Sequence, residues 1–248
     1  MSSILITGAT AGIGRHAALT LARRGHRVLA TGRREDALNS LLAEAAGLDL
    51  HAFSLDVTSP ESIEAAVVRV SELCPEGLDA LVNNAGYGQL GAVLDVDDQR
   101  VRQQYETNVF GLLAVTRAFA SAMVERGKGR IINISSIGGL FTLPLFGVYN
   151  STKYAVESLS DALRRELSPF GVDVSIVEPG VINTRFGQVA KETVAFTGPW
   201  AAAYQASSDA YARAERFASD PTPISEVLVH AIESRRPRAR YSRPRRDA

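Results

Sequence analysis

Tyr149 and Lys153 stand four residues apart in Tyr149-Asn150-Ser151-Thr152-Lys153, within a stretch of helical periodicity, so both project from one helix face. An ammonium beside a phenol favours the phenolate. Lowering a tyrosine pKa from about 10 toward 7 corresponds to roughly 4 kcal/mol of differential charge stabilisation. A tyrosine so tuned exchanges a proton with an alcohol or carbonyl oxygen near neutral pH. Ser136, in Ser135-Ser136-Ile137-Gly138-Gly139, ends the apolar run upstream and could hold the same oxygen by a hydrogen bond. Taken singly, a Tyr-x-x-x-Lys pair is usually a surface tyrosine beside a helix lysine, so its meaning depends on what surrounds it.

Near the N-terminus, Thr7-Gly8-Ala9-Thr10-Ala11-Gly12-Ile13-Gly14 joins an apolar run to a helix-period segment, the order strand, glycine turn, helix that a dinucleotide site requires. Gly8 permits the tight turn, Gly12 lets the backbone approach a pyrophosphate, and Gly14 lets helix pack on strand. The helix N-terminus offers unpaired N–H groups to the anion. The spacing is G-x-x-x-G-x-G rather than G-x-G-x-x-G. An NAD site normally carries an acid at the end of the second strand, whereas this strand ends Ala30-Thr31-Gly32-Arg33-Arg34. Two guanidiniums suit a 2′-phosphate, which favours NADP(H) over NAD(H); the alternative is a solvated arginine pair at a helix start. Asp56, past the third strand, could accept from an adenine amino group or simply lead into the next helix. Asn83-Asn84-Ala85-Gly86 ends the fourth strand at the sheet's carboxyl edge, where open α/β sheets place ligands, although its composition also fits a plain turn.

These residues need a scaffold that alternates strands with helices. Strand-like runs at Ser2–Thr7, Arg27–Thr31, Leu50–Leu55, Leu78–Asn83, Arg130–Ser135 and Val172–Val177 alternate with helical segments at Gly12–Arg24, Glu35–Ala46, Pro60–Cys74, Asp98–Arg126 and Gly147–Ser168. Such alternation predicts βαβ units: an α/β Rossmann fold, doubly wound, with a mostly parallel sheet of about seven strands and helices on both faces. One domain accounts for residues 1–248. The segment 185–222 reads as a substrate loop or lid, a last helix follows at Pro223–Ser234, and 235–248 reads as a basic tail.

The composition supports one good core, with 46% hydrophobic and 22% charged residues. Lys plus Arg equals Asp plus Glu at 27 each, which argues against a chain-wide electrostatic grip on nucleic acid. The balance is uneven, because seven of the arginines lie between Arg235 and Arg246. The stretch lacks interleaved aromatics apart from Tyr241, and terminal charge runs are usually solvated, so no nucleic-acid partner is expected. Cys74 is the single cysteine, consistent with a reducing, cytoplasmic setting, and no basic leader precedes the first strand. The longest uncharged run, Ile131 to Thr152, is interrupted by asparagines, glycines and Pro144 and reads as strand, loop and helix start rather than a membrane span. His16, His26, His51 and His230 lack ligand spacing, so no metal is expected.

Together, the glycine turn of Thr7 to Gly14, the Asn83 to Gly86 stretch, Asn108 in Thr107-Asn108-Val109-Phe110-Gly111, and Ser136, Tyr149 and Lys153 resemble the short-chain dehydrogenase/reductase family in its single-domain branch. The thirteen-residue step from Ser136 to Tyr149 also fits, as does the turn Pro179-Gly180-Val181-Ile182-Asn183-Thr184. The wording of Ser135 to Thr184 is most similar to hydroxysteroid and retinol dehydrogenase-like members. The resemblance implies that Tyr149 is the general acid or base, that Lys153 lowers its pKa and bonds the nicotinamide ribose, that Ser136 orients the substrate oxygen, and that Asn108 holds a water in a proton relay. It also implies cofactor contacts from Gly8, Thr10, Gly12, Ile13 and Gly14, from Arg33, Arg34, Asp56 and Val57, and from Asn83, Ala85 and Gly86. At the sixth strand Pro179, Gly180, Ile182 and Thr184 would meet the nicotinamide, beside Tyr149 and Lys153.

Phe141 with its apolar neighbours Leu140, Leu143, Leu145 and Phe146, and Phe186, Phe196 and Trp200 further on, could wall a pocket for an apolar ketone, aldehyde or alcohol, or pack as ordinary loop. The family usually pairs subunits through the helices at Asp98–Arg126 and Gly147–Ser168, which implies a homodimer or homotetramer. Relatives in that branch commonly run further at the C-terminus, so a shorter end implies a more open pocket or one closed by a neighbour. Two other classes share parts of the pattern: sugar-nucleotide epimerases and dehydratases, with a longer substrate domain and a different glycine spacing, and non-catalytic dinucleotide sensors, which are expected to lose a catalytic residue.

Overall fold

The computed structural model describes residues 1–184, 186–191 and 197–243. Seven strands form: β1 (Ser3–Ile6), β2 (Arg27–Gly32), β3 (Leu50–Ser54), β4 (Ala80–Asn83), β5 (Gly129–Ile134), β6 (Val172–Pro179) and β7 (Arg240–Arg243). They pair in the order β3-β2-β1-β4-β5-β6-β7, every pair parallel. Between them run α1 (Gly12–Arg23), α2 (Glu35–Glu44), α3 (Pro60–Leu73), α4 (Asp98–Tyr105), α5 (Leu112–Arg126), α6 (Gly147–Leu167), α7 (Phe186–Lys191), α8 (Ala201–Glu215) and α9 (Thr222–Glu233).

A parallel sheet is covered on both faces, so its central strands read as unbroken apolar runs. Ile4, Leu5 and Ile6 are fully buried, yet they serve different cores because successive side chains alternate across the sheet. Ile4 and Ile6 pack with Ala17, Ala18 and Leu21 of α1 and Leu228 of α9. Leu5 packs on the other face with Ile63 of α3 and Val115, Phe119 and Met123 of α5. The order reverses between β1 and β4, and such a switch point opens a crevice at the carboxyl edge.

Local signals set the helix ends. Ser59 Oγ accepts from the Ser62 amide at 3.1 Å and Pro60 occupies the first turn of α3. Gly127, at φ 64°, terminates α5 in the left-handed conformation. The segment expected as one helix over Asp98–Arg126 is α4 and α5 joined through a π-turn at Glu106–Gly111, which carries Asn108. That stretch is long and apolar enough to cross a membrane by length and composition, but half of its apolar window is buried in the protein, where Val115, Phe119 and Met123 serve the core. Ile131–Thr152 is strand, turn and helix start, as expected.

Two further expectations change. The segment 185–222, read as a loop or lid, holds α7, a 3₁₀ turn at Gly198–Trp200, and α8. Alanine is the strongest helix former but too short to mark an apolar stripe, so Ala201-Ala202-Ala203 and the alanines after it gave a helix without a legible period. Arg185 and residues 192–196, Phe196 among them, lie outside the described residues. The stretch 235–248, read as a solvated basic tail, instead adds β7 beside β6, with Tyr241 buried and its hydroxyl 2.8 Å from His230 Nδ1. Residues 244–248 lie outside the described residues.

Candidate active site

The turn after β1 and the turn after β4 are tied into one unit. Thr7 Oγ1 accepts from the amides of Asn84 and Ala85, each at 3.0 Å, while Asn84 Nδ2 donates to the carbonyls of Thr7 at 2.9 Å and Gly8 at 3.0 Å. Gly8 sits at φ 67°, which side chains rarely adopt. A Cβ on Gly14 would stand 2.4 Å from Asn84 Nδ2, so Gly14 serves the packing beneath the turn rather than the cleft surface. At the α1 N-terminus, Ala11 supplies no side-chain cap and the first turn carries no acid. Those amides face a cleft lined by Gly8, Thr10, Gly12 and Ile13, so the donor set fits a pyrophosphate.

The cleft encloses about 1860 Å³ and runs from the arginines at the end of β2 to Tyr149 and beyond. Arg33 and Arg34 are exposed on its rim, and Arg33 Nη1 lies 3.9 Å from Asp56 Oδ2. Burial pushes the Asp56 carboxyl up, but hydrogen bonds from the Thr58 amide at 2.9 Å and hydroxyl at 2.8 Å prevail and hold it below its ordinary value. Val57, Ala85 and Gly86 also line the cleft. Asn83 does not: its side chain is buried below, donating to Thr116 Oγ1 and Asn133 Oδ1, each at 2.9 Å. The period of two explains the difference, since neighbouring Asn83 and Asn84 must point to opposite faces of the strand end.

Ser136 follows β5 and Tyr149 and Lys153 lie in the first two turns of α6, which packs beside it. Ser136 Oγ accepts from the Gly138 amide at 3.0 Å, and the Ser136 hydroxyl is close enough to Tyr149 to oppose the rise in its pKa. The Lys153 Nζ donates to the Ile134 carbonyl at 2.9 Å and stands 5.9 Å from the centre of the Tyr149 ring. Burial pushes Tyr149 up to about 12, against the lowering bond from Ser136. Burial likewise pulls Lys153 down to about 8, with the Glu157 carboxylate pulling it back up. The expected fall of Tyr149 toward neutrality is therefore absent in the protein alone, because desolvation of the buried phenol outweighs the bond from Ser136.

Asn108 is buried on the π-turn; its Oδ1 accepts from the Tyr87 amide at 3.2 Å, and its Nδ2 donates to the Tyr87 carbonyl at 3.0 Å and Thr152 Oγ1 at 3.1 Å. It thus clips the β4 loop to α6. Pro179, Gly180, Ile182 and Thr184 continue from β6 along the cleft wall, and a Cβ on Gly12 would meet Thr184 Cγ2 at 3.3 Å. The Phe186 ring lies 5.3 Å from the Tyr149 ring, centre to centre and tilted by 59°, and Phe141 lines the same end, nearly half exposed at 46%. Leu145, between them in the lining, holds φ 67°, a left-handed backbone costing about 1 kcal/mol for a residue with a Cβ. Its carbonyl accepts from the Gly91 amide at 2.7 Å.

Some contributors were not singled out from sequence. Asn150 Nδ2 donates to the Gly138 carbonyl at 2.7 Å, fixing the turn that carries Ser136. From α8, Ala203, Ser207, Ala210 and Tyr211 line the far wall beside Trp200. The run of strong helix formers from Ala201 was the available signal, and it carried no apolar stripe to mark the face that lines the cleft. Among the described residues no group of three His, Cys, Asp or Glu could hold a metal ion.

A family model described as short chain dehydrogenase matches residues 2–195. The chain is 36% identical over 242 residues to an uncharacterized oxidoreductase, YbbO, of Escherichia coli, covering 96% of this chain and 84% of the relative. A serine dehydrogenase solved in a closed form with NADP+ superposes with a TM-score of 0.84 at 30% identity, covering 97% of this chain and 93% of that one. A short chain dehydrogenase/reductase from Burkholderia phymatum in complex with NAD gives a TM-score of 0.86 at 25% identity, covering 97% and 88%.

Proposed function

The chain belongs to the short-chain dehydrogenase/reductase family, and from that premise we propose that it is an NADP(H)-dependent oxidoreductase of apolar ketones, aldehydes or the matching alcohols, with Tyr149 as its general acid and base. The observation that carries the reading is the convergence of Ser136, Tyr149 and Lys153 at one end of a cleft whose other end is the glycine turn and the arginine rim. NADP(H) rather than NAD(H) is supported by Arg33 and Arg34 standing where a 2′-phosphate-binding site needs cations.

When bound, the nicotinamide supplies or takes up the hydride. The amides at the α1 N-terminus would hold the pyrophosphate, Arg33 and Arg34 the adenosine phosphate, and Thr184 and Ile182 would receive the nicotinamide end. Ser136 orients the substrate oxygen toward Tyr149. In reduction, the Tyr149 Oη proton passes to the oxygen that becomes the hydroxyl; in oxidation it returns. A phenol at about 12 beside an ammonium at about 8 stores its proton at neutral pH, the state in which Tyr149 acts as an acid. Lys153 stabilises the phenolate left behind, and Asn108 fixes the backbone next to it.

The aromatic and aliphatic wall of Phe141, Leu143, Phe146, Phe186 and Trp200 supports an apolar substrate. We further place the protein in the cytoplasm, as a homodimer or homotetramer, on the strength of the single buried cysteine and of the family's habit. The test is to incubate the purified protein with NADPH and a panel of aliphatic and aromatic aldehydes and ketones, following loss of NADPH absorbance. Oxidation of NADPH dependent on the carbonyl is the expected result. Tight binding of NADPH with no turnover across the panel would point instead to a dinucleotide sensor.

A further inference from the structure

The last strand brings a cation to the back of the catalytic helix. Arg240, on β7, reaches over β6 to α6, where its Nη2 lies 2.7 Å from Asp161 Oδ2 and 3.2 Å from Glu157 Oε2, and its Nε lies 3.2 Å from Glu178 Oε1. Glu157 and Glu178 are buried, so the guanidinium is the countercharge that keeps them in the interior. Glu178 is further held by the Ser242 hydroxyl.

The other carboxylate oxygen of Glu157, Oε1, is buried with no hydrogen-bond partner among the described residues. Glu157 is one helical turn from Lys153, an i, i+4 pair on α6 with both side chains buried, and the turn after Ser136 packs on this stretch: a Cβ on Gly139 would meet Glu157 Cγ at 3.0 Å, the Lys153 backbone carbonyl at 3.1 Å and Ser135 Oγ at 2.9 Å. Lys153 is itself buried, with its ammonium on a neutral carbonyl. A buried ammonium is costly without an anion nearby, and Glu157, one helical turn away and not in direct contact, is the carboxylate that α6 sets beside it.

We propose that Glu157 is a positioning residue that keeps Lys153 cationic, and that Arg240 of the C-terminal strand keeps Glu157 ionised in that task. Arg240 contacts Glu157, Glu157 stands one helical turn from Lys153, and the Lys153 ammonium lies 5.9 Å from the centre of the Tyr149 ring. Burial lowers Lys153, and the Glu157 carboxylate opposes that fall. Burial first, and Glu178 as well, raise Glu157, while the Ser135 hydroxyl and Arg240 lower it. The charged groups around Glu157 are thus Lys153 and Asp161 on its own helix, Glu178 on β6 and Arg240 on β7, with Arg164 bound to Asp161 at 3.3 Å.

The experiment reads Lys153 directly and needs no substrate, so it stands whether or not a carbonyl is turned over. The chain has three lysines, Lys128, Lys153 and Lys191. In a Lys128→Arg/Lys191→Arg background, lysine labelled at Cε gives one titrating signal by NMR. Glu157→Gln is expected to lower its midpoint by about half a pH unit or more, a roughly threefold change in the protonation constant. Glu157→Asp restores part of the shift. Arg240→Gln lowers the midpoint as well, because two buried carboxylates cannot both stay ionised without their cation, and it adds no further fall once Glu157 is Gln. An unmoved or raised midpoint in folded Glu157→Gln overturns the proposal. A raised midpoint in Arg240→Gln overturns the part given to Arg240, and unfolding of every variant reduces the cluster to a requirement of the fold and overturns both.

Discussion

The Asn84 amide group donates to the carbonyl oxygens of Thr7 and Gly8 at 2.9 and 3.0 Å, so the loop after β4 is the clamp on the glycine turn after β1. The cofactor cradle and the sheet's switch point are therefore one hydrogen-bonded body. Its geometry depends on a residue that need touch no phosphate.

Asn84→Ala removes both bonds and leaves two carbonyls without their donor, a loss of ~1–3 kcal/mol. Affinity for NADPH is expected to weaken about tenfold, the equivalent of ~1.4 kcal/mol, with a lower melting temperature. Fluorescence titration and a thermal melt check it; unchanged affinity would show that the clamp is dispensable.

Arg33→Ala tests the choice of cofactor. Arg33 is exposed and its carboxylate neighbour Asp56 is 3.9 Å away, so little folding stability rests on it. Charge-assisted hydrogen bonds contribute ~1.5–3 kcal/mol, so NADPH binding should weaken by ~10–100-fold while NADH binding hardly changes. Equal affinity for the two cofactors in the native protein would remove the assignment.

Tyr149→Phe keeps the ring against Phe186 and deletes the hydroxyl. Turnover is expected to fall by ~10²–10⁴-fold, the usual share of a general acid. NADPH binding should stay within a few-fold. Full activity in the variant would move the proton donor elsewhere.

Lys153, held at about 8, gives the pH dependence a sign. Reduction needs the ammonium, so kcat should be level between about pH 6 and 7 and decline above about 8. Stability moves the other way in the same window. A lysine depressed from 10.5 to about 8 binds fewer protons folded than unfolded between those values, so its contribution to stability rises as pH rises through them. Parallel kcat and urea-unfolding profiles from pH 6 to 10 check both limbs.

The sequence by itself determined the order of strands and helices, because unbroken apolar runs such as Ile4-Leu5-Ile6 and the 3.6-residue period are local properties of the chain. It likewise placed Tyr149 and Lys153 on one helix face and Ser136 at a strand end, since an i, i+4 spacing and a strand boundary need no tertiary information. Side-chain direction at strand ends was decided by the fold: Asn83 turns to the core and Asn84 to the glycine turn, a choice set by the register of β4 against β1. Helices made of alanine, as in α8, carry no stripe and become visible once they pack. Burial also reversed the expectation for Tyr149, since the depth of a phenol in the protein, rather than its distance along the helix from a lysine, sets which proton it keeps. The basic C-terminal stretch changed most. Its arginines read as solvated charge along the chain, and only the sheet, by laying β7 beside β6, sets Arg240 against three carboxylates from other elements.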